Sequence, residues 1–260
     1  MFTRILSTII IAFATFSGQA QAEWSFGGGM ENFRWQETIT GSALSPLESG
    51  LRYALNLKWV QSGDNGLLFS YRGKVYTGRV HYDTFTQISN TPVSTTTQYS
   101  GSTHEGQMFY RTDIGRLKLD YVGGAGLDSW RRSIDNNGYN QIEDYSIMYL
   151  RGGVNIDQAQ HAAGFHGGGG LKYPFWTAED AHLTEQGYYS NPLITPGKAI
   201  SLYAELGYRI NQRWDVVGYY DSWRFKQSDS VITTDSKGAW KIWQPESHMD
   251  VWGLKAMVSF

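Results

Sequence analysis

Two segments share the order Asp-Ser-Trp-Arg and could form a ligand site. Tryptophan rings provide flat platforms for sugars, and Asp and Arg can hydrogen-bond the hydroxyl groups of a polar ligand. The alternative is a pair of interfacial tryptophans beside ordinary rim charges, as in the aromatic girdles of membrane barrels. Both interpretations stay open at this point. The candidate residues are Asp128, Trp130, Arg131, Asp221, Trp223 and Arg224.

Other chemistries find little support in the composition. The chain has no Cys, which excludes disulfides, thiolate metal sites and Cys nucleophiles. No two of its His residues have a close ligand spacing, so we predict neither a metal site nor a cofactor. The net charge of −2 does not favour a nucleic-acid partner. The run 167–170 is all Gly but lacks the Gly-Lys-Ser/Thr ending of a phosphate loop, so it indicates a bending strand wall.

The N-terminus has the pattern of a secretory signal. Arg4 supplies the positive charge, 5–16 is a short apolar run, and 20–22 reads Ala-Gln-Ala. The apolar run is too short for a membrane helix. We therefore predict a cleaved signal peptide over 1–22 and a single exported domain over 23–260.

Alternation of apolar and polar residues predicts β-strands in the rest of the domain. About ten strands of ten to fourteen residues follow this period of two, and 200–210 is the clearest case. No other run approaches the ~20 apolar residues of a membrane helix. The fold class predicted is all-β, a closed antiparallel transmembrane β-barrel. Its last strand has an apolar face made by Trp252, Leu254, Ala256, Val258 and Phe260.

The connections between the predicted strands alternate in length. Short turns and long loops at opposite ends are typical of outer-membrane barrels, with the short turns in the periplasm and the long loops outside the cell. Because an open sheet edge cannot lie in lipid, the last strand must pair with the first. The long connections are expected at about 36–48, 81–102, 131–142, 176–197 and 227–247.

These features together resemble a Gram-negative outer-membrane β-barrel protein. In such families a C-terminal strand ending in Phe is read by the barrel-assembly machinery, which implies that Trp252, Leu254, Val258 and Phe260 form an assembly signal. The resemblance also implies location in the cell outer membrane, contact with membrane lipid and lipopolysaccharide, and a monomeric state. It is specific for architecture and weak for activity.

The predicted lumen is polar, with nearly balanced charge. A selective porin-like channel is expected to show one sign of charge in excess. Balanced charges in a narrow barrel favour a salt-bridged interior that plugs it. This points to a non-enzymatic role: structural, in surface interaction, or in passage of a small solute.

The size of the barrel also resembles the omptin family of outer-membrane proteases, which implies an alternative as an endopeptidase. Omptins use an Asp/His dyad and an Asp pair at the external rim. The matching candidates here are Asp83, Asp180 and His182, where a carboxylate would orient an imidazole acting as general base. The chain departs from the family pattern because no second Asp accompanies Asp83 at close spacing. A lipid-modifying barrel enzyme is a further alternative, but His104, His161, His166 and His248 lie in no recognisable motif.

Overall fold

The structure is a computed structural model that describes residues 22–39, 45–85, 91–136, 139–158 and 163–260. The predicted signal peptide, apart from its last residue, and His161 lie outside the described residues. Among the described residues, no helix is long and apolar enough to cross a membrane.

Ten antiparallel strands close into a barrel, as predicted. Each barrel strand pairs with its neighbours along the chain, and the last pairs with the first. A short strand β8 (Gly197–Lys198) and a hairpin of β11 (Val231–Asp235) and β12 (Gly238–Ile242) belong to the loops. The barrel strands are β1 (Ala22–Thr38), β2 (Leu47–Gln61), β3 (Gly66–Phe85), β4 (Pro92–Ile114), β5 (Leu117–Asn136), β6 (Tyr139–Asp157), β7 (Gly164–Asp180), β9 (Ser201–Arg209), β10 (Trp214–Lys226) and β13 (Glu246–Ser259).

The outward face of the wall is apolar. Leu55, Leu206 and Trp252 are 66%, 66% and 63% exposed, and similar side chains surround the barrel. An apolar surface of this extent would drive aggregation in water but suits a lipid environment. Aromatic rings mark its short-turn end, where Phe26 and Phe260 lie 6.3 Å apart in an edge-to-face contact.

The inward face packs large aromatic side chains against glycines. A Cβ at Gly253 would lie 2.2 Å from the ring of Tyr219, and one at Gly126 would lie 2.4 Å from the ring of Tyr149. Glycine at these two positions therefore makes the room that the tyrosines occupy. The main buried cluster contains Phe33, Trp35, Ala54, Tyr76, Val80, Tyr99, Trp130, Tyr145, Ile147, Tyr149, Trp223, Phe225, Met249 and Val251.

Two of the predicted long loops are largely strand. β3 and β4 remain paired as far as Phe85 and Pro92, and β5 and β6 as far as Asn136 and Tyr139. The loop predictions for 81–102 and 131–142 were wrong because an extension beyond the lipid has polar residues on both faces. The alternation disappears there while the backbone hydrogen bonds continue. These four strands have 19 to 23 residues, about twice the 9–11 needed to span a bilayer.

The other two described long connections pack into an ordered cap. The segment after β7 forms a 3-10 turn at Leu183–Gln186, and the segment after β10 forms the β11–β12 hairpin. The backbone N–H of Tyr189 donates to the carbonyl of Thr234 at 2.7 Å, which joins the two segments. A small apolar cluster beneath them contains Ala181, Leu183 and Ile194, with Tyr188, Val231 and Ile242 at its edge.

We expect deletion of Phe260 to impair barrel assembly, in agreement with the role predicted for the last strand. Phe260 extends the pairing of β13 with β1 that closes the barrel. Its N–H donates to the carbonyl of Trp24 at 2.9 Å, and its ring packs on Phe26. The measurement is the amount of folded protein in the outer membrane, read from heat-modifiable gel mobility. Met257→Leu, a change at a buried position of the same strand, is the control and should assemble normally. Wild-type levels of the truncated protein would contradict the prediction.

Candidate functional site

The two Asp-Ser-Trp-Arg segments meet inside the barrel. The Trp223 indole N–H donates to Asp128 at 2.9 Å. Asp128 also accepts hydrogen bonds from Thr103 Oγ1 at 3.0 Å and from the Tyr76 hydroxyl at 3.3 Å. Trp130 and Trp223 are only 3% and 1% exposed. Asp128 is therefore the centre of a buried hydrogen-bond network.

Asp221 lies in the same interior and is paired with a lysine. Its carboxylate is 2.5 Å from Lys172 Nζ. The same ammonium group lies 3.8 Å from the centre of the Trp223 ring, a cation–π distance. The Tyr149 ring meets Trp223 edge-to-face at 5.0 Å. The Trp223 ring is thus packed against side chains of the protein.

The arginines of the two segments point away from the tryptophans. Arg131 makes a bidentate contact with Asp144, at 2.7 and 2.8 Å, and Arg224 lies 2.6 Å from Asp250. Strand alternation explains the split, because the Asp and Trp positions share one face and the Arg position lies on the other. The ligand-binding role of the six residues stays a prediction to which this geometry adds no support.

Asp180 and His182 lie at the cap, at the long-loop end. Asp180 Oδ1 accepts a hydrogen bond from the His182 backbone N–H at 3.0 Å and another from Asn191 Nδ2 at 2.5 Å. His182 itself has a left-handed φ of 48° at the start of the 3-10 turn. Asp180 therefore holds the backbone of the turn, and among the described residues it acts on the imidazole through its charge without a hydrogen bond to the ring.

The His182 imidazole is held between two other carboxylates. Nε2 lies 2.9 Å from Asp144 Oδ2, and Nδ1 lies 3.2 Å from Glu185 Oε1. Burial alone would lower the pKa of His182, but the hydrogen bonds to Asp144 and Glu185 raise it above its ordinary value. Burial would raise the pKa of Asp144, whereas its contacts with Arg131 and His182 lower it. The arrangement favours an imidazolium with both nitrogens engaged, which is a poor general base.

Asp83 belongs to a separate cluster on β3 and β4. It lies 3.1 Å from His81 Nε2 and accepts a hydrogen bond from Ser94 Oγ at 2.9 Å. Ser94 Oγ also lies 3.0 Å from the same His81 nitrogen. Because both partners contact one nitrogen, the ring cannot relay a proton between Ser94 and Asp83. The structure shows no contact that brings Asp83 to His182.

The largest ionic cluster near the long-loop end was missed by sequence reasoning. The buried guanidinium of Arg132 lies 3.1 Å from Glu37, 2.8 Å from Glu48 and 2.7 Å from Glu143. Glu179, 2% exposed, is a fourth carboxyl group beside them. We call these five residues the acidic cluster. It lies beyond the apolar band, at the level where the wall presents charged residues to the outside.

The acidic cluster has more carboxyl groups than its single cation can neutralise. Burial raises the pKa of Glu179 well above its ordinary value, and the nearby charges of Glu143 and Glu37 raise it further. Burial likewise raises the pKa of Glu37, against the effect of Arg132. Burial and crowding of like charges therefore favour the protonated form of Glu179 and Glu37.

A polar cavity occupies the short-turn half of the lumen. It has a volume of about 230 Å³ and is lined by nine Lys or Arg and seven Asp or Glu residues. Its mouth includes the turn residues Asn211, Gln212 and Arg213. Most of its charges are paired across the lumen or along the wall. The pairs are Arg72–Glu205, Arg111–Asp120, Arg151–Glu105, His166–Asp215, Lys172–Asp221 and Arg209–Asp157.

An aromatic layer separates this cavity from the long-loop end. Phe33, Trp35, Tyr99 and Trp223 are at most 1% exposed, and they pack with the other members of the main buried cluster. The Phe33 and Tyr99 rings are 4.6 Å apart. The described part of the lumen is thus filled by side chains between the acidic cluster and the polar cavity.

The remaining histidines lie apart from one another. His104 Nδ1 lies 2.7 Å from the Tyr71 hydroxyl on the outer wall, and His166 pairs with Asp215 in the cavity. His248 lies on β13 beside the Arg224–Asp250 pair. Within the described ranges, no group of three His, Asp or Glu residues has a geometry that could hold a metal ion.

Comparison with known proteins finds likeness in structure only. No protein-family model and no characterised protein matches the sequence. The outer membrane protease OmpT from Escherichia coli matches with a TM-score of 0.49 at 10% identity, over 92% of this chain and 94% of that one. The protein Ail of Yersinia pestis matches at 0.34 and 12%, over 92% and 99%. The translocator domain of the autotransporter NalP from Neisseria meningitidis matches at 0.39 and 8%, over 99% and 95%.

These likenesses carry no argument about any residue at such identities and TM-scores. The assignment of the barrel to this chain depends on its own strand pairing and on its outward apolar face.

We expect Arg132→Gln to lower the free energy of unfolding by roughly 3–5 kcal/mol at pH 7.5, because it leaves buried carboxylates without their cation. The loss should shrink at pH 5, where the carboxyl groups take up protons. Denaturant unfolding in detergent micelles, followed by tryptophan fluorescence, measures both values.

The neighbouring Arg131→Gln is the matched control. The side chains of Arg131 and of its partner Asp144 are 52% and 36% exposed. This substitution should therefore lower the free energy of unfolding by no more than about 1 kcal/mol. Equal losses for Arg131 and Arg132 would contradict the description of the acidic cluster.

We expect the His182 imidazole to titrate above its ordinary pKa of 6.5, and Asp144→Asn to lower that pKa. NMR titration of the ring protons in micelles measures it. A raised native pKa means that the contact stabilises the fold fully below the unfolded value of about 6.5, and that this contribution is lost as the pH rises through the native pKa.

Asp83→Asn is the control for this titration. Since Asp83 contacts His81 and Ser94 instead of His182, the pKa of His182 should not change. A shift as large as that of Asp144→Asn would restore the predicted Asp83–His182 pair.

Proposed function

We propose that this chain is an integral outer-membrane β-barrel with a closed lumen, and that its role is non-enzymatic. At the cell surface it holds the ordered cap and the extended ends of β3 to β6, which we call the raised wall. The observation that carries the proposal is the aromatic layer across the lumen, whose members Trp35, Tyr99 and Trp223 are at most 1% exposed. Side chains packed to this degree leave no continuous water path for a solute.

Orientation follows from the lengths of the connections. The short turns lie in the periplasm and the cap faces outward, as in bacterial outer-membrane barrels. Export through a cleaved signal peptide, folding by the barrel-assembly machinery and a monomer in contact with lipid and lipopolysaccharide complete the proposal. The continuous apolar band supports lipid contact all around the barrel.

The geometry at the rim favours a surface role over catalysis. Both ring nitrogens of His182 contact carboxylates, and Asp83 lies in another cluster. A general base needs an imidazole nitrogen free to accept a proton. Cleavage of basic peptides by the purified protein in lipopolysaccharide, lost in His182→Ala, would contradict the non-enzymatic role.

We expect the wild-type protein to show no steady conductance in planar lipid bilayers. The double variant Trp35→Ala/Tyr99→Ala should open a path between the two ends of the lumen and show stable channels. Because large aromatic deletions cost roughly 3–5 kcal/mol each, heat-modifiable mobility must first show that the variant is folded.

Trp252→Ala is the control for conductance. Trp252 is 63% exposed on the outward face, so its removal leaves the lumen unchanged. Large steady channels in the wild type, equal to those of the double variant, would overturn the closed lumen.

A further inference from the structure

One carboxylate in the polar cavity faces three cations. Arg72 contacts both oxygens of Glu205, at 2.8 and 2.9 Å. Lys58 and Lys255 interact electrostatically with the same carboxylate. Neither lysine has an ion pair within 4 Å among the residues that the structure describes. This group of one acid and three bases is the basic cluster.

The basic cluster is an exception to the pairing of the rest of the cavity. Arg111, Arg151 and Arg209 each have a carboxylate partner of their own. Two other acids act on Lys58 without pairing with it: Glu23, which is exposed at the mouth, and Asp215, which pairs with His166. Of the other lining cations, Lys74 pairs with Glu31 and Arg213 is exposed at the mouth, so it is the basic cluster itself that holds two more basic than acidic side chains.

The three cations of the basic cluster line the same cavity. Lys58 lies directly opposite Arg72 in the β2–β3 register, and Lys255 lies opposite Gly29 in the β1–β13 register. The inward positions of β1 in this stretch are Gly27 and Gly29, which have no side chain. A Cβ at Gly29 would lie 2.8 Å from Lys255 Cβ. The glycines of β1 thus let β13 approach closely, and the open space beside Lys58, Arg72 and Lys255 is the polar cavity that all three line.

Buried donors without acceptors are found in the same lining. Arg72 Nε and Asn56 Nδ2 make no hydrogen bond among the described residues. A buried donor left unpaired costs free energy, as does an ammonium group withdrawn from water without a counter-charge. An anion in the polar cavity would neutralise these charges and offer acceptors to the buried donors.

We propose that the basic cluster binds a small soluble dianion of the phosphate class, held by Lys58, Lys255 and Arg72. Two negative charges match the local excess, and oxyanions accept charge-assisted hydrogen bonds from ammonium and guanidinium groups. The ligand enters at the short-turn end, because the mouth lies there and the aromatic layer blocks the opposite path. That the short-turn end faces the periplasm rests on the proposed function, but binding itself does not.

The test is isothermal titration of the purified barrel in neutral detergent with inorganic phosphate, at constant ionic strength set by sodium chloride. The wild type should bind one phosphate saturably. Lys58→Gln and Lys255→Gln should each raise the Kd for phosphate by about tenfold, which is the effect of losing one charge-assisted hydrogen bond. Lys241→Gln, on the exposed β11–β12 hairpin, should bind as the wild type does.

A variant that is expected to tighten binding separates a loss of binding contacts from damage to the fold. Glu205→Gln removes the competing carboxylate and should tighten phosphate binding, whereas a distorted cavity would weaken it. Absence of saturable binding in the wild type overturns the proposal, as does an equal loss in Lys241→Gln. Conductance is measured separately, so a failure of the closed lumen is distinguishable from a failure of phosphate binding.

Discussion

Closure of the strand ladder is the constraint on which the rest of this structure depends. A backbone in lipid has no water to bond its N–H and C=O groups, so every strand edge within the membrane must be paired. Here β1 and β13 meet in a continuous antiparallel register from Ser25 and Ser259 to Thr38 and Glu246. Closure fixes which side chains point inward, because each strand alternates between lipid and lumen. Whether a residue holds an odd or an even position in its strand, which we call its parity, therefore decides whether its side chain faces the lipid or joins the ionic interior.

Within the lumen, parity places charges that balance in number but separate along the axis. At the long-loop end, Arg132 meets four glutamates, whereas at the short-turn end Glu205 faces three cations. The aromatic layer between them keeps the two groups from neutralising each other by direct contact. Counting charges over the whole interior hides this separation, which is visible only when each residue is assigned a height on the wall.

The sequence predicted the barrel, its strand number and most inward faces, because lipid on one side and a polar lumen on the other enforce alternation. That signal ends where the wall leaves the lipid. The segments 81–102 and 131–142 have polar residues on both faces there, so the paired strands resembled loops and Arg132 was not assigned to the lumen. Glu179 was hidden because β7 continues to Asp180, into the segment 176–197 that was predicted as a loop. A bulge at Phe175, opposite Met148 and Tyr149, reverses the parity of the end of β7.

The candidate site residues show the same limit. Asp128, Trp130, Asp221 and Trp223 have a parity that sends them inward, and alternation alone separates them from Arg131 and Arg224. Which cap residue approaches His182 depends on loop packing, for which the sequence has no periodic signal. Asp144 was therefore not predicted as its partner, although the Asp180–His182 spacing drew attention to the right part of the rim.

The raised wall of β3 to β6 has a thermodynamic consequence for the surface role proposed for it. A polar loop of twenty residues would lose backbone entropy on binding, at about 1–2 kcal/mol for each residue that becomes ordered. Residues such as Thr95 and Gln98 are already fixed in a hydrogen-bonded ladder by folding. A partner that docks on this wall meets a preorganised template, so most of its contact energy is retained as affinity.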